Sequence, residues 1–415
     1  MTSCRVRIAG LLALLALGPS SALAFDTVDT MLWPSSSGAF PAYPLEEPRP
    51  WGLRAYAGAM YDDNVTRVQT GEQSDLITRF GVGASYAARV YGRQGVRLDA
   101  FGEWRDYQKL DLDHFAYGTT AEWLWELGNN LGGTLGWRRL HRLADLGEAR
   151  VARKEMVTED RVDLGGGYLL TPDFRLTGGA GLLHAERENS LREEPTTNGW
   201  GARGGIEYVS ALGNTIGVEA RYGEGDAPVE DIFVGFFPDN RYKENELALT
   251  LAYIVSPDLR LRGRLGHTRR EYTDVPGSDF SGGTGRGAVE WNMGAKTLLV
   301  LEGYRIADPI IDADALHVDR RGAAVGVNWA ATVKLVFGAR FTNERRIYIG
   351  DGTATVLGGP LRDDTLRVWR FHAGWEPERF WQFSGSLDFG ERDSNILGQS
   401  YDYTAVVFNL RYEFR

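Results

Sequence analysis

The chain ends in YDYTAVVFNLRYEFR, Tyr401 to Arg415. Thr404, Val406, Phe408, Leu410, Tyr412 and Phe414 fall on one parity, and Ala405, Val407, Asn409, Arg411 and Glu413 on the other. A period of two marks a β-strand with two unlike faces. A strand at a chain end leaves a row of unpaired backbone groups unless it finds a neighbour. In a membrane barrel the last strand pairs with the first and removes that edge. Phe408, Leu410, Tyr412 and Phe414 then read as the lipid-facing closure and as the terminal signal for the barrel-assembly machinery.

The same period runs back through the chain. Leu53 to Tyr61, Leu76 to Val90, Val96 to Trp104 and Phe115 to Trp125 each set an apolar parity against a polar one. Short turns such as Gly92 to Gly95, Thr171-Pro172-Asp173 and Ser256-Pro257-Asp258 alternate with long polar loops. The loops are read at Asp62 to Ser74, His141 to Glu155, Gly223 to Lys243 and Asn343 to Asp363. Counting strands gives about eighteen, with sixteen as the lower bound, in the even-numbered range of outer-membrane barrels. The expected fold is all-β: a transmembrane antiparallel up-and-down barrel over residues 51–415, with short periplasmic turns and long outer loops. The stretch from Leu298 to Tyr304 is apolar on both parities, so its orientation is not readable.

Ahead of the barrel, residues 1–24 read as an export signal. Arg5 and Arg7 precede the apolar run Ile8 to Leu17, and Ala22-Leu23-Ala24 is a small-x-small cleavage pattern. Residues 25–50 carry Pro34, Pro41, Pro44, Pro48 and Pro50 and read as an extended periplasmic lead-in that could meet a periplasmic partner. The expected address is the outer membrane of a Gram-negative bacterium.

Composition excludes several classes. The single cysteine, Cys4, falls in the export signal, so disulfides and thiolate metal sites are not expected. A net charge of −10 leaves no basic footprint for nucleic acid. Gly282 to Gly287 lacks the Gly-Lys-Ser/Thr ending of a phosphate loop. Asp312, Asp314, His317 and Asp319 lack ligand spacing and read as a solvated loop, and Asp62-Asp63-Asn64 reads as a loop turn before a calcium site. No cofactor is expected, and no catalytic set is readable around His141, His184 or His267.

The polar parity should line a wet lumen. Its candidates for contact with cargo are Arg97, Glu103, Arg105, Arg138, Arg221, Arg260, Arg262, Arg264, Arg340 and Arg370. Lysine occurs five times, so the cations are almost all arginine, whose planar fork suits carboxylates. For any one of them a wall ion pair is the default, and the row Arg260, Arg262, Arg264 is the best candidate for more.

Tyr61-Asp62-Asp63-Asn64-Val65-Thr66-Arg67, Ser74-Asp75-Leu76-Ile77-Thr78, Tyr91-Gly92-Arg93-Gln94, Arg105-Asp106-Tyr107 and Leu112-Asp113 resemble, in order and spacing, the exosortase-associated EpsL-type outer-membrane proteins of exopolysaccharide clusters. The resemblance covers Trp51 to about Trp125. It implies a barrel that serves synthesis or export of an extracellular polysaccharide, acidic or hydroxyl-rich, with periplasmic export components as partners. The expected function is accordingly an export channel for exopolysaccharide across the outer membrane, with a general or selective porin for small solutes as the alternative.

Overall fold

A computed structural model describes residues 50–148, 154–188, 196–226, 241–273, 277–308, 315–350 and 360–414. The export signal and nearly all of the lead-in lie outside them. Eighteen strands follow one another: β1 (Trp51–Asp62), β2 (Asp75–Tyr91), β3 (Gln94–Tyr107), β4 (His114–Leu127), β5 (Leu131–Leu143), β6 (Met156–Thr171), β7 (Phe174–Glu188), β8 (Thr196–Val209), β9 (Thr215–Asp226), β10 (Arg241–Ser256), β11 (Leu259–Tyr272), β12 (Phe280–Met293), β13 (Thr297–Asp308), β14 (His317–Ala330), β15 (Leu335–Ile349), β16 (Asp363–Glu378), β17 (Trp381–Ser394) and β18 (Tyr401–Phe414). Each pairs antiparallel with the next, and β18 pairs with β1, so the sheet closes. At the seam Leu53 lies opposite Phe414, Ala57 opposite Leu410 and Ala59 opposite Phe408.

Closure turns the alternation into an inside and an outside. Phe80, Val82, Leu98, Trp104, Leu182, Leu249, Leu265, Val406 and Phe408 stand exposed on the outer face. A continuous apolar belt of this kind would aggregate in water and is what lipid requires. Aromatics end the belt at both rims. Tyr168, Phe174, Tyr208, Trp291, Trp329, Trp375 and Phe414 mark the periplasmic side, and Trp104, Phe115, Trp200, Trp369 and Phe389 the outer side. No helix among the described residues is long and apolar enough to cross a membrane. The crossing is made by strands, and the barrel is an outer-membrane one.

The glycines serve this wall. A Cβ on Gly285 would sit 2.5 Å from the Arg264 carbonyl oxygen and 2.9 Å from the Leu265 side chain. Gly282 to Gly287 is therefore a close-packed strand segment of β12, where neighbouring chain fills the space a side chain would need.

Three loop boundaries read from sequence need correction, and the loop read from His141 starts after Leu143, where β5 ends. β15 runs on to Ile349 and β9 to Asp226, so the loops read from Asn343 and Gly223 begin several residues later. The reason is the inward parity: Glu344, Arg346 and Tyr348 find partners inside the barrel, so the polar stretch stays in the ladder. Strands of 12 to 17 residues are about 40–55 Å long, more than a membrane needs. The wall therefore projects beyond the outer rim of aromatics. Leu298 to Tyr304, unreadable from sequence, is oriented by its neighbour: Leu301 lies opposite the exposed Val325, so odd positions face out.

Candidate functional site: the lumen and its strap

The inward parity carries ion pairs across neighbouring strands. Arg54 on β1 donates two hydrogen bonds to Asp99 on β3, at 2.6 and 2.8 Å. Arg370 does the same to Asp388 across β16 and β17, at 2.8 and 2.6 Å. Arg97 meets Glu122 at 3.3 Å, and Arg340 meets Glu302 at 3.0 Å. Arg105 bonds the buried Glu103 on its own strand. Arg221 donates to Glu219 at 2.7 Å, and Glu219 also receives Arg264 at 3.2 Å and faces Arg203 at 3.7 Å. Arg264 adds a bond to Glu246. Most of the buried inward charges are thus answered by a partner on the same or a nearby strand, because an unanswered buried charge costs several kcal/mol, roughly 3–5.

The row Arg260, Arg262, Arg264 is not uniform. Arg264 is held in the Glu219–Glu246 cluster with 15% of its side chain exposed. Arg262 is 63% exposed and reaches Glu290 only at 3.6 Å. Arg260, nearer the periplasmic turn, is exposed and makes no hydrogen bond or ion pair among the described residues. Arg138, half-buried on β5, is likewise without a partner among them. The accessible cations therefore lie below the outer mouth, Arg260 and Arg262 near the periplasmic end of β11 and Arg138 near the middle of β5.

The outer mouth has a centre that sequence reasoning missed. After β5 the chain turns inward at Ala144 to Glu148 instead of leaving for solvent. The Glu148 carboxylate accepts hydrogen bonds from Tyr348 Oη at 2.8 Å and Arg392 Nη2 at 2.5 Å, and from Arg346 Nη1. Arg392 also donates to the Gly147 carbonyl. Tyr348 and Arg346 sit on β15 and Arg392 on β17, while the strap leaves β5. In an 18-strand ring β5 and β15 are eight strands apart by the shorter path, so the strap crosses almost the full width of the mouth. Burial alone would push the Glu148 carboxyl up; Arg392, Arg346 and Arg362 outweigh it and hold the group well below the usual carboxylate range. Arg392 is 1% exposed and Glu148 2%. Arg362 and Asp364 join the cluster through a 2.9 Å bond. One signal was present in the sequence: Leu146, an apolar residue inside a polar loop, buries with Val65, Ile77 and Leu112.

Those partners belong to the segments that carry the family resemblance. Asn64 Nδ2 donates to the Val68 and Asp402 carbonyls, both at 2.9 Å. Asp63 accepts from the Thr404 N–H at 2.7 Å. Arg67 lies over the Tyr403 ring at 3.7 Å and donates to Asp62 at 2.7 Å. Asp75 accepts from the N–H groups of Leu76, Lys109 and Leu110. These residues clasp the first outer loop to the last strand and to its neighbouring loop.

Other candidates are dispersed. Asp312 and Asp314 lie outside the described residues. His317 stacks on Tyr272, and Asp319 pairs with Arg305 and Arg321. No group of three histidine, cysteine or acidic residues among those described is arranged to hold a metal ion. His141, His184 and His267 face outward and bond separately to Thr158, to Asn198 and Glu186, and to Ser281.

No protein-family model and no curated protein matches the chain. Among solved structures it is similar to OccK2 (OpdF) of Pseudomonas aeruginosa, with a TM-score of 0.50 at 11% identity over 88% of this chain and 98% of that one. It is also similar to the outer-membrane protein OpdK of the same organism, at a TM-score of 0.48 and 13% identity over 88% and 99%. At this identity the likeness is one of fold, and it agrees with the closed 18-strand barrel.

Proposed function

We propose that the chain forms an outer-membrane diffusion channel for small solutes, with a preference for anions. The observation that carries this reading is the division of the lumen. The strap anchored on Glu148 narrows the mouth, while Arg138, Arg260 and the exposed Arg262, which shares Glu290 at 3.6 Å, present cations to a passing carboxylate below it. A small ion can pass beside a strap; a carbohydrate polymer would need the strap to leave, and its anchor is buried and doubly paired. Weak, multiple cation contacts suit passage, because a solute must both enter and leave.

The test is planar-bilayer recording with the purified barrel in a salt gradient. The reversal potential is expected on the anion side. Replacing Arg138, Arg260 and Arg262 together with glutamine is expected to move it toward zero without loss of conductance. A cation-selective channel, or an unmoved potential in the triple variant, would reject the reading.

The resemblance supports a second reading, passage of an extracellular polysaccharide. It requires the strap to swing aside, and its test is a deletion strain: normal surface polymer with none retained in the periplasm removes it.

A further inference from the structure

The outer face of β13 to β15 carries three rows in lateral register. Leu301, Val325 and Phe341 lie opposite one another within the apolar belt. Above them come Gly303, Ala323 and Asn343, small residues that leave a shallow shelf. Above the shelf come Arg305, Arg321 and Arg345, again directly opposite one another. All three rows share the parity that faces away from the lumen.

Three like charges side by side on adjacent strands repel, and such pairs are normally avoided. Here they are only partly answered. Asp319 takes both Arg305, at 2.9 Å, and Arg321, at 2.8 Å, and Asp363 takes Arg345 at 2.9 Å. Three guanidinium groups thus share two carboxylates, and Arg321 and Arg345 remain 47% and 54% exposed. The lumen needs nothing from them, since they point away from it. The arginine row stands four residues beyond the apolar row, about 13 Å along the tilted strand, and so on the headgroup side of the outer aromatic rim that Trp369 marks opposite Phe341.

We infer that this patch is a docking site for a phosphate-bearing lipid of the outer leaflet. Acyl chains would lie on Leu301, Val325 and Phe341. The sugar or glycerol part would sit over Gly303 and Ala323, with Asn343 as a hydrogen-bonding edge. The phosphate would take the donors of Arg321 and Arg345 that carboxylates leave free, in the forked geometry that favours arginine over lysine. A phosphate monoester also removes the repulsion within the row, so bound lipid should steady the wall at β13 to β15.

The experiment compares binding of diphosphorylated lipid A, the same lipid enzymatically dephosphorylated, and inorganic phosphate to the detergent-purified barrel, read by native mass spectrometry and by thermal unfolding. The phosphorylated lipid is expected to bind about tenfold or more tightly than the dephosphorylated one, a margin of about 1.4 kcal/mol, and to raise the unfolding midpoint. R321Q/R345Q should erase that margin while the barrel keeps its heat-modifiable migration on gels. Equal binding of the two lipids to the unaltered protein overturns the inference even if the variant fails to fold. Displacement of the lipid by millimolar inorganic phosphate overturns the lipid assignment, because a headgroup held also by its acyl chains should resist it.

Discussion

Glu148 decides how the mouth behaves. Its carboxylate is held below its ordinary range of about 4.5 by the surrounding arginines, after burial has pushed the other way. A group whose folded pKa is depressed stabilises fully above its unfolded pKa and loses that contribution as pH falls toward the folded value. Conductance should therefore be flat from pH 8 to pH 5 and should rise only below about pH 4, as the strap lets go. A rise near pH 6 would show that another group controls the mouth. Glu148→Gln should mimic the acid state at neutral pH. Removing one partner of a buried ion pair costs about 3–5 kcal/mol, enough to free the strap, so single-channel conductance should increase several-fold. An unchanged conductance would place the constriction elsewhere.

The lumen arginines show what a single sequence conveys at the residue scale and what it does not. Parity alone put Arg97, Arg138, Arg260, Arg340 and Arg370 on the polar face of their strands, because a strand has only two faces. It could not rank them. Arg260 and Arg264 have the same parity on the same strand, yet one is exposed and the other locked to two glutamates. That difference comes from β9 and β10, whose register is set by the whole closed sheet.

At the scale of the element, the first outer loop is a clasp. Asn64 is fully buried and uses its amide on both Val68 and Asp402. Asn64→Ala would remove both of these hydrogen bonds, at a cost of about 1–3 kcal/mol. It should lower the midpoint of the heat-modifiable gel shift without altering ion selectivity. β18 makes a second prediction. Phe408 faces lipid opposite Ala59 and Gly385. Phe408→Arg should destabilise by about 2–4 kcal/mol in bilayer unfolding, as a cation near the membrane midplane does, whereas Phe408→Leu should be nearly silent. Equal effects of the two would mean that the position is not lipid-facing. The strands were legible because each repeats a simple period. The strap was not, because Ala144 to Glu148 has no period, and only the far wall tells why Glu148 is acidic.

At the scale of the whole molecule, a chain of net charge −10 surrounds a lumen in which Arg138 and Arg260 are unpaired among the described residues and Arg262 is largely exposed. Selectivity set by a few exposed arginines should fade with salt, since screening shortens from about 10 Å at 0.1 M to about 3 Å at 1 M. The ratio of anion to cation permeability should fall toward one over that range. A salt-independent ratio would point to a steric filter at the strap instead. The number of strands and their closure followed from periodicity and from the need to leave no edge in lipid. Width alone did not reveal how much of the opening is filled, since loops of similar composition can stand in water or fold inward.

The clasp also orders events in time. The partners of Asp63 and Asn64 lie 341 and 338 residues further along the chain. Whatever emerges first from the secretion pore must wait for the end of the polypeptide before its first loop can settle. A nascent or truncated chain would hold Asp62 to Gln73 open to proteases, and only a complete one would hide them. The loop is thereby a built-in receipt that the last strand has arrived.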